Sequence, residues 1–325
     1  MVTGFWKELK KPIMALAPMA DVTDSVFRKI IAKYGKPDVM WTEFVSCDGL
    51  CSKGRDNLLM DLKFDKSERP IVAQFFGSTP KHFYECACLA RELGFNGIDI
   101  NMGCPQKNVV MQGAGIGLIR TPDLAQEVVS ETKRGAGGLP VSIKTRIGDT
   151  KNTVSEWLPR LLETEPAAIT IHARTRKEMS KVPARWDVIA EAVSIAKTHD
   201  LSRSKTLIIG NGDVETLEEA EERVRETGVD GVMIGRGIFG NPWLFNREVK
   251  EISVMERLRV MIEHTELFEK TFYDKKGERW LKNFDIMKKH YKAYIHGFDG
   301  AKELRMVCMK AKNTKEVKDI ITTML

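Results

Sequence analysis

The stretch LIIGNGD at residues 207–213 and the stretch GVMIGRG at residues 231–237 share one build: a short unbroken apolar run that ends in glycines and a polar residue. Between them, Leu217–Glu226 carries apolar residues at helical spacing. A run of Val, Ile, Leu and Met without alternation fits a parallel strand covered on both faces, and the helix supplies the crossover that such strands need. Working outward, comparable runs occur at Ile13–Ala17, Val39–Glu43, Ile71–Phe75, Gly97–Asn101, Val141–Lys144 and Ala168–His172. With Leu207–Gly210 and Gly231–Ile234 they make eight strand candidates. Helical patterns separate most of them, at Asp24–Tyr34, Pro80–Leu93, Pro122–Arg134, Val154–Glu163 and Trp186–Lys197, whereas the polar segment Asp48–Lys66 reads as a long loop. Repeated strand-then-helix units over residues 1–245 predict an α/β fold of the (β/α)8 TIM-barrel type. An open doubly wound sheet would use fewer strands per residue.

After Pro242 the strand pattern stops. Val254–Leu267, Trp280–Ile295 and Ala301–Ala311 read as helices, broken at Gly277, Gly297 and Gly300, so residues 246–325 form a predicted all-α domain. The charge is uneven. The chain carries +6 overall, yet residues 246–325 hold 18 Lys and Arg against 13 Asp and Glu, and residues 1–245 hold 33 against 32. Lys270, Lys275, Lys276, Arg279, Lys282, Lys288, Lys289 and Lys292 cluster there, and a helix starting at Trp280 puts Lys282 and Lys289 on one face. Such an excess favours an anionic partner such as RNA.

A length of 325 residues with 42% hydrophobic content suffices for a large core. No stretch approaches the ~20 apolar residues of a membrane span, and Met1–Lys11 has no apolar signal-peptide core. The six cysteines are scattered and read as reduced thiols of a cytoplasmic protein. Cys47-x3-Cys51 lacks a matching second pair and Cys86-x-Cys88 sits in a helical pattern, so both read as packing and no metal is assigned.

Barrel enzymes place their chemistry where the strands end. Here those ends are Pro18-Met19-Ala20, Glu43, Gln74, Asn101-Met102-Gly103-Cys104-Pro105, Lys144-Thr145-Arg146, His172-Ala173-Arg174, Gly210-Asn211-Gly212-Asp213 and Gly235-Arg236-Gly237. Gly210, Gly212, Gly235 and Gly237 let backbone N–H groups approach a phosphate at the loops after strands seven and eight, with Arg236 adding charge. One such pair alone is an ordinary tight turn. Lys144 and Gln74 suit the redox end of a flavin, as a cation and an amide beside its ring, although taken alone they read more readily as salt-bridged or solvated strand ends. Cys104, between Gly103 and Pro105, is either a buried structural cysteine or a thiol that stays protonated at neutral pH and donates a proton. His172 reads equally as a satisfied core histidine or as a ligand to ring carbonyls or phosphates, and Arg174 shares that second role.

NMGCP at 101–105, GAGIGLI at 113–119, KTRIG at 144–148, IHARTR at 171–176, GNGD at 210–213 and GRG at 235–237, in this order, resemble the signature of the tRNA-dihydrouridine synthases. The resemblance runs from about Ile13 to Phe245, and the helical tail is similar in size and position to that family's tRNA-binding domain. It implies FMN held by Pro18, Met19, Ala20, Gln74, Lys144, His172, Asn211, Gly212, Asp213, Gly235 and Arg236, with NADPH as the electron donor. It implies Asn101 and Arg174 as contacts to a uracil flipped out of tRNA, and Cys104 as the proton donor after hydride transfer to uracil C6. A monomer is expected. The pattern departs from the family at Ser180 and at Ala184-Arg185-Trp186, where a Tyr and Ala-Asp-Trp are usual, and Ile116 is bulky where a small residue is common. Another FMN barrel that reduces a small molecule, or a tRNA-binding protein without catalysis, are the alternatives. The basic tail and the cysteine between Gly and Pro weigh against the first, and the intact Cys104, Lys144 and His172 against the second.

Overall fold

The computed structural model describes residues 4–199 and 206–324. Eight parallel strands form one sheet: β1 Ile13–Leu16, β2 Met40–Ser46, β3 Ile71–Phe76, β4 Gly97–Met102, β5 Val141–Arg146, β6 Ala168–His172, β7 Leu207–Asn211 and β8 Gly231–Ile234. Each pairs with its successor from β2 to β8, and β8 pairs with β1. An isolated Ala15–Val39 bridge, with Leu16 N donating to Val39 O at 3.1 Å, joins β1 to β2 and closes the ring. The result is the TIM barrel that the unbroken apolar runs predict. Residues of β1, β4, β7 and β8 are buried throughout, as strands covered on both faces must be. Several strands run further than their apolar runs, so that Ser46, Arg146 and Asn211 belong to strand ends rather than to loops.

Counting helices of eight or more residues, α1 is Ser25–Tyr34, α2 Pro80–Glu92, α3 Pro122–Ala136, α4 Val154–Leu162, α5 Trp186–His199 and α6 Leu217–Thr227. They continue with α7 Val254–Phe272, α8 Ile286–Tyr294, α9 Ala301–Cys308 and α10 Thr314–Met324. Between β2 and β3 there are only short helical turns, at Cys47–Leu50, Arg55–Leu58, Leu59–Leu62 and Lys66–Glu68. The polarity of that segment explains this, since it offers no apolar stripe for a full helix to bury.

The chain separates into two compact units, residues 1–25 with 37–236, and residues 26–36 with 237–325. The expected division at 245/246 gave α1 to the barrel, whereas nearly all of this helix belongs with the C-terminal helices. Phe27 stacks on His264 at 5.0 Å, Lys33 and Tyr34 both bond the Glu263 carboxylate, and the Tyr34 carbonyl accepts from Asn246 Nδ2 at 3.2 Å. Those partners lie more than two hundred positions away, beyond any local pattern.

In the helical unit the segment 273–294 differs from the sequence expectation. Tyr273–Asp274 and Arg279–Trp280 form an antiparallel hairpin, and the helix begins at Ile286 instead of Trp280. Trp280 packs on Tyr273, its partner across the hairpin, at 5.0 Å and on Phe284 at 4.8 Å. Lys282 therefore does not share a helix face with Lys289. Its ammonium lies 5.6 Å from the centre of the Phe272 ring. Helix α10 adds to the three helices expected after Pro242. No helix among the described residues is long and apolar enough to cross a membrane.

Candidate active site

At the C-terminal ends of the barrel strands lies a cavity of about 500 Å³. Thirteen of the fourteen residues singled out in the sequence line it: Pro18, Met19, Ala20, Asn101, Cys104, Lys144, His172, Arg174, Asn211, Gly212, Asp213, Gly235 and Arg236. The volume lies in the range of small-molecule and cofactor sites, roughly 300–1,000 Å³. Gln74 is the exception. It is fully buried beneath the lining, where its Nε2 donates to Asp99 Oδ2 at 2.7 Å and its Oε1 accepts from Asn101 Nδ2 at 3.0 Å.

That exception shows how β3–β5 build the site. Asp99 stands inside the apolar run of β4, wholly buried, and also accepts from Ser142 Oγ at 2.5 Å. Burial pushes its carboxyl up to about 6, against the bonds from Ser142 and Gln74 that favour the charged form. The chain Asp99–Gln74–Asn101 fixes the Asn101 amide, whose Oδ1 then accepts from Gly103 N at 3.1 Å and Cys104 N at 2.8 Å. One side chain thus folds the loop that carries the cysteine. Cys104 is 6% exposed, against Val109, Ala114, Phe44 and Phe76. Burial raises its thiol above the ordinary value, although Arg146 and Lys144 pull the other way, so the S–H form prevails at neutral pH.

The opposite charge gathers on β5–β8. Lys144 Nζ donates to Asn211 Oδ1 at 3.1 Å, while Asn211 Nδ2 donates to Met233 O at 2.7 Å and is thereby oriented. Burial, and then Arg146, lower the ammonium to about 8. Arg146 is 8% exposed and gives its Nε to Gly103 O at 2.8 Å. His172 is held neutral well below its ordinary value by burial and by the cations Arg146, Lys144, Arg174 and Arg236. Arg174, 3% exposed, is paired with Asp213, which also accepts from Arg236 Nη2 at 2.6 Å and Ala184 N at 2.9 Å. Burial works to raise the Asp213 carboxyl, but these partners keep it below the usual carboxylate range.

The glycines do not all play the part their spacing suggested. A Cβ on Gly210 would lie 2.4 Å from the Trp186 ring, so this glycine makes room for packing rather than for a ligand. Gly212 has φ +134° and lines the cavity, with His172 and Ala184 directly beside it. The helix α6 follows the first glycine loop, but only a 3-10 turn, Arg236–Ile238, follows the second. Among the lining residues that were not singled out are Phe44, Arg146, Met179 and Met233. Arg146 and the buried Asp99 had a visible signal, a charge within or directly after an apolar run. Phe44 and the two methionines read as ordinary apolar positions.

Four lining cations, Lys144, Arg146, Arg174 and Arg236, face two lining carboxylates, Asp213 and Glu215, beside an apolar wall that includes Ala17, Met19, Phe44 and Met233. A positive rim next to an apolar wall fits a flat aromatic group that carries a phosphate.

Over residues 15–324 the chain matches the family model described as Dihydrouridine synthase (Dus). It is 43% identical over 323 residues to the probable tRNA-dihydrouridine synthase 2 of Bacillus subtilis strain 168, covering 99% of this chain and 96% of that protein. It is 41% identical over 325 residues to a probable tRNA-dihydrouridine synthase of Staphylococcus epidermidis, covering 99% and 97%. Among solved structures, TcOYE with pHBA superposes with a TM-score of 0.53 at 13% identity, covering 75% of this chain and 91% of that one. Histamine dehydrogenase from Rhizobium sp. 4-9 superposes at 0.55 and 11%, covering 78% and 48%, and both likenesses concern the fold alone. With a family model spanning nearly the whole sequence and relatives above 40% identity at full coverage, this chain belongs to the dihydrouridine synthase family.

Proposed function

We propose that the protein reduces the C5–C6 double bond of uridine in tRNA, using FMN with NADPH as the electron donor. The observation that carries this reading is the cavity itself, where a protonated thiol on a fixed loop and a cluster of cations meet around space for a flat phosphorylated ring. FMN would be held by the backbone at Pro18, Met19 and Ala20, by Lys144, His172 and Asn211, and at its phosphate by Gly212, Gly235 and Arg236. When bound, it supplies the hydride that adds to uracil C6.

The chain's own groups do the rest. Lys144, still mostly charged at neutral pH and anchored by Asn211, places a cation beside the ring edge, where reduction develops negative charge. Neutral His172 offers a hydrogen bond without a second charge. Arg174, oriented by Asp213 and the Val182 carbonyl, contacts the uracil carbonyls together with Asn101. Cys104 delivers the proton to C5 from its S–H. In this reading Gln74 and Asp213 are positioning residues: one holds Asn101 and the other holds Arg174. The base must leave its stack to reach the cavity.

Purified protein is expected to be yellow and to release FMN on denaturation, and to form dihydrouridine in tRNA when NADPH is supplied. Cys104→Ala is expected to keep the flavin and to lower tRNA turnover by roughly 10²-fold or more, the scale of a lost general acid. Unchanged turnover in that variant sinks the assigned role, and colourless protein that cannot be reconstituted with FMN sinks the reading as a whole.

A further inference from the structure

Met179, in the loop that leaves β6, is among the residues that line the cavity. This residue combines two features. Its side chain is apolar and 44% exposed, and its backbone sits in the left-handed region at φ 54°. That conformation is unfavourable for a residue with a Cβ and would cost glycine little. Neighbouring bonds impose it from both sides. Arg174 Nε donates to Val182 O at 2.6 Å, Arg185 Nη2 donates to the Glu178 carboxylate at 2.8 Å, and Lys181 N donates to Glu178 O at 2.9 Å. A strained residue held this firmly, with its side chain on a cavity wall instead of in the core, is the kind that persists for a contact with a ligand.

We propose that Met179 is a substrate-binding residue whose thioether packs against the face of the pyrimidine base admitted to the cavity. The inference rests on the nucleotide substrate proposed above. Arg174 and Lys144 are suited to carbonyl and phosphate oxygens, and a thioether recognises neither. What it offers is a soft, polarizable contact to a ring, a favourable pairing for sulfur beside an aromatic system. The preference is therefore for the base face.

Two substitutions in the flavin-loaded enzyme test this, with a short single-stranded oligouridylate as the binding probe and tRNA as the substrate. Met179→Gly removes the side chain and relieves the backbone, whereas Met179→Leu keeps the bulk and the strain. Met179→Gly is expected to weaken oligouridylate binding and raise the KM for tRNA by about fivefold, the low end for losing a base-packing side chain, with kcat changed by less than about twofold. Its thermal midpoint should not fall, and Met179→Leu should recover most of the affinity. Unchanged binding in Met179→Gly overturns the inference. So does a lowered midpoint that accounts for the loss, or a wild-type enzyme that does not bind the oligouridylate. A wild-type enzyme that binds it but forms no dihydrouridine in tRNA overturns the proposed reaction instead, and the binding arm then decides Met179 alone.

Discussion

Around β3–β5 the barrel unit buries a carboxylate, an amide and a hydroxyl that satisfy one another, Asp99 with Gln74 and Ser142. The helical unit buries two histidines differently. His264 and His290 lie 4.5 Å apart, edge to face, packed on Phe27, and three of their ring nitrogens meet no hydrogen-bond partner among the described residues. The first arrangement keeps a charge available beneath a cavity. The second gains aromatic packing and forbids charge, since burial, with Lys289 adding repulsion, takes His290 down to about 3, and burial holds His264 well below its ordinary value. Buried polar groups therefore serve a site where they have partners, and make the fold sensitive to acid where they have none.

The sharpest way to break this comparison is to remove a partner from the barrel unit. Asp213→Asn takes the carboxylate from Arg174, whose side chain is 3% exposed, and should cost about 3 kcal/mol of stability, reduced somewhat because Asp213 itself is 34% exposed. Urea unfolding measures it, and a loss no larger than that of a surface pair would show that Arg174 finds other partners.

The next effect is the response to pH. Unfolded imidazoles take up protons near 6.5 and the folded ones only far lower, so stability falls as pH drops below 6.5, by about 1.4 kcal/mol per unit for each histidine. Asp99 works the other way. With a folded value of about 6 against 3.8, it binds a proton more readily in the folded state and adds stability as pH falls through 6. Between about pH 6 and pH 5, above the titration of ordinary carboxylates, His172, His264 and His290 all lose stability against the gain at Asp99, so the net loss should be that of roughly two histidines. His290→Phe should cut the slope in that window to about that of one histidine, and an unaltered slope would mean that the imidazole is not what the folded state keeps neutral.

The smallest expected effect concerns the surface lysines of the helical unit. Lys275, Lys276 and Lys292 are exposed, whereas Lys282 lies over Phe272 and Lys288 is paired with Asp285. If this unit holds RNA phosphates, replacing the first three with Gln should flatten the slope of log affinity against log salt by up to about 0.9 per contact, and replacing Lys282 and Lys288 by less. Equal slopes in both variants and the wild type would remove these side chains from the interface.

Much of the molecule was legible because its signals are local. Unbroken apolar runs specify strands buried on both faces, and polar residues directly after them mark where a barrel opens, so thirteen cavity residues followed from their positions alone. The exchange between Gln74 and Asn101 was not legible, because whether an amide faces a ligand or a buried carboxylate depends on the strand beside it. The hairpin at 273–280 was not legible either, because Trp280 pairs with Tyr273 across it, a contact between two short strands that helical spacing does not register. By itself the sequence determined the barrel, the set of polar side chains that line its cavity and the charge of the tail. Only the tertiary structure decided which polar groups pair, that α1 joins the distant helices through Glu263 and His264, and that Met179 stands strained in the cavity lining. The physical reason is range: periodicity and turn chemistry act over a few residues, whereas hydrogen-bond satisfaction and burial are settled between segments that only folding brings together.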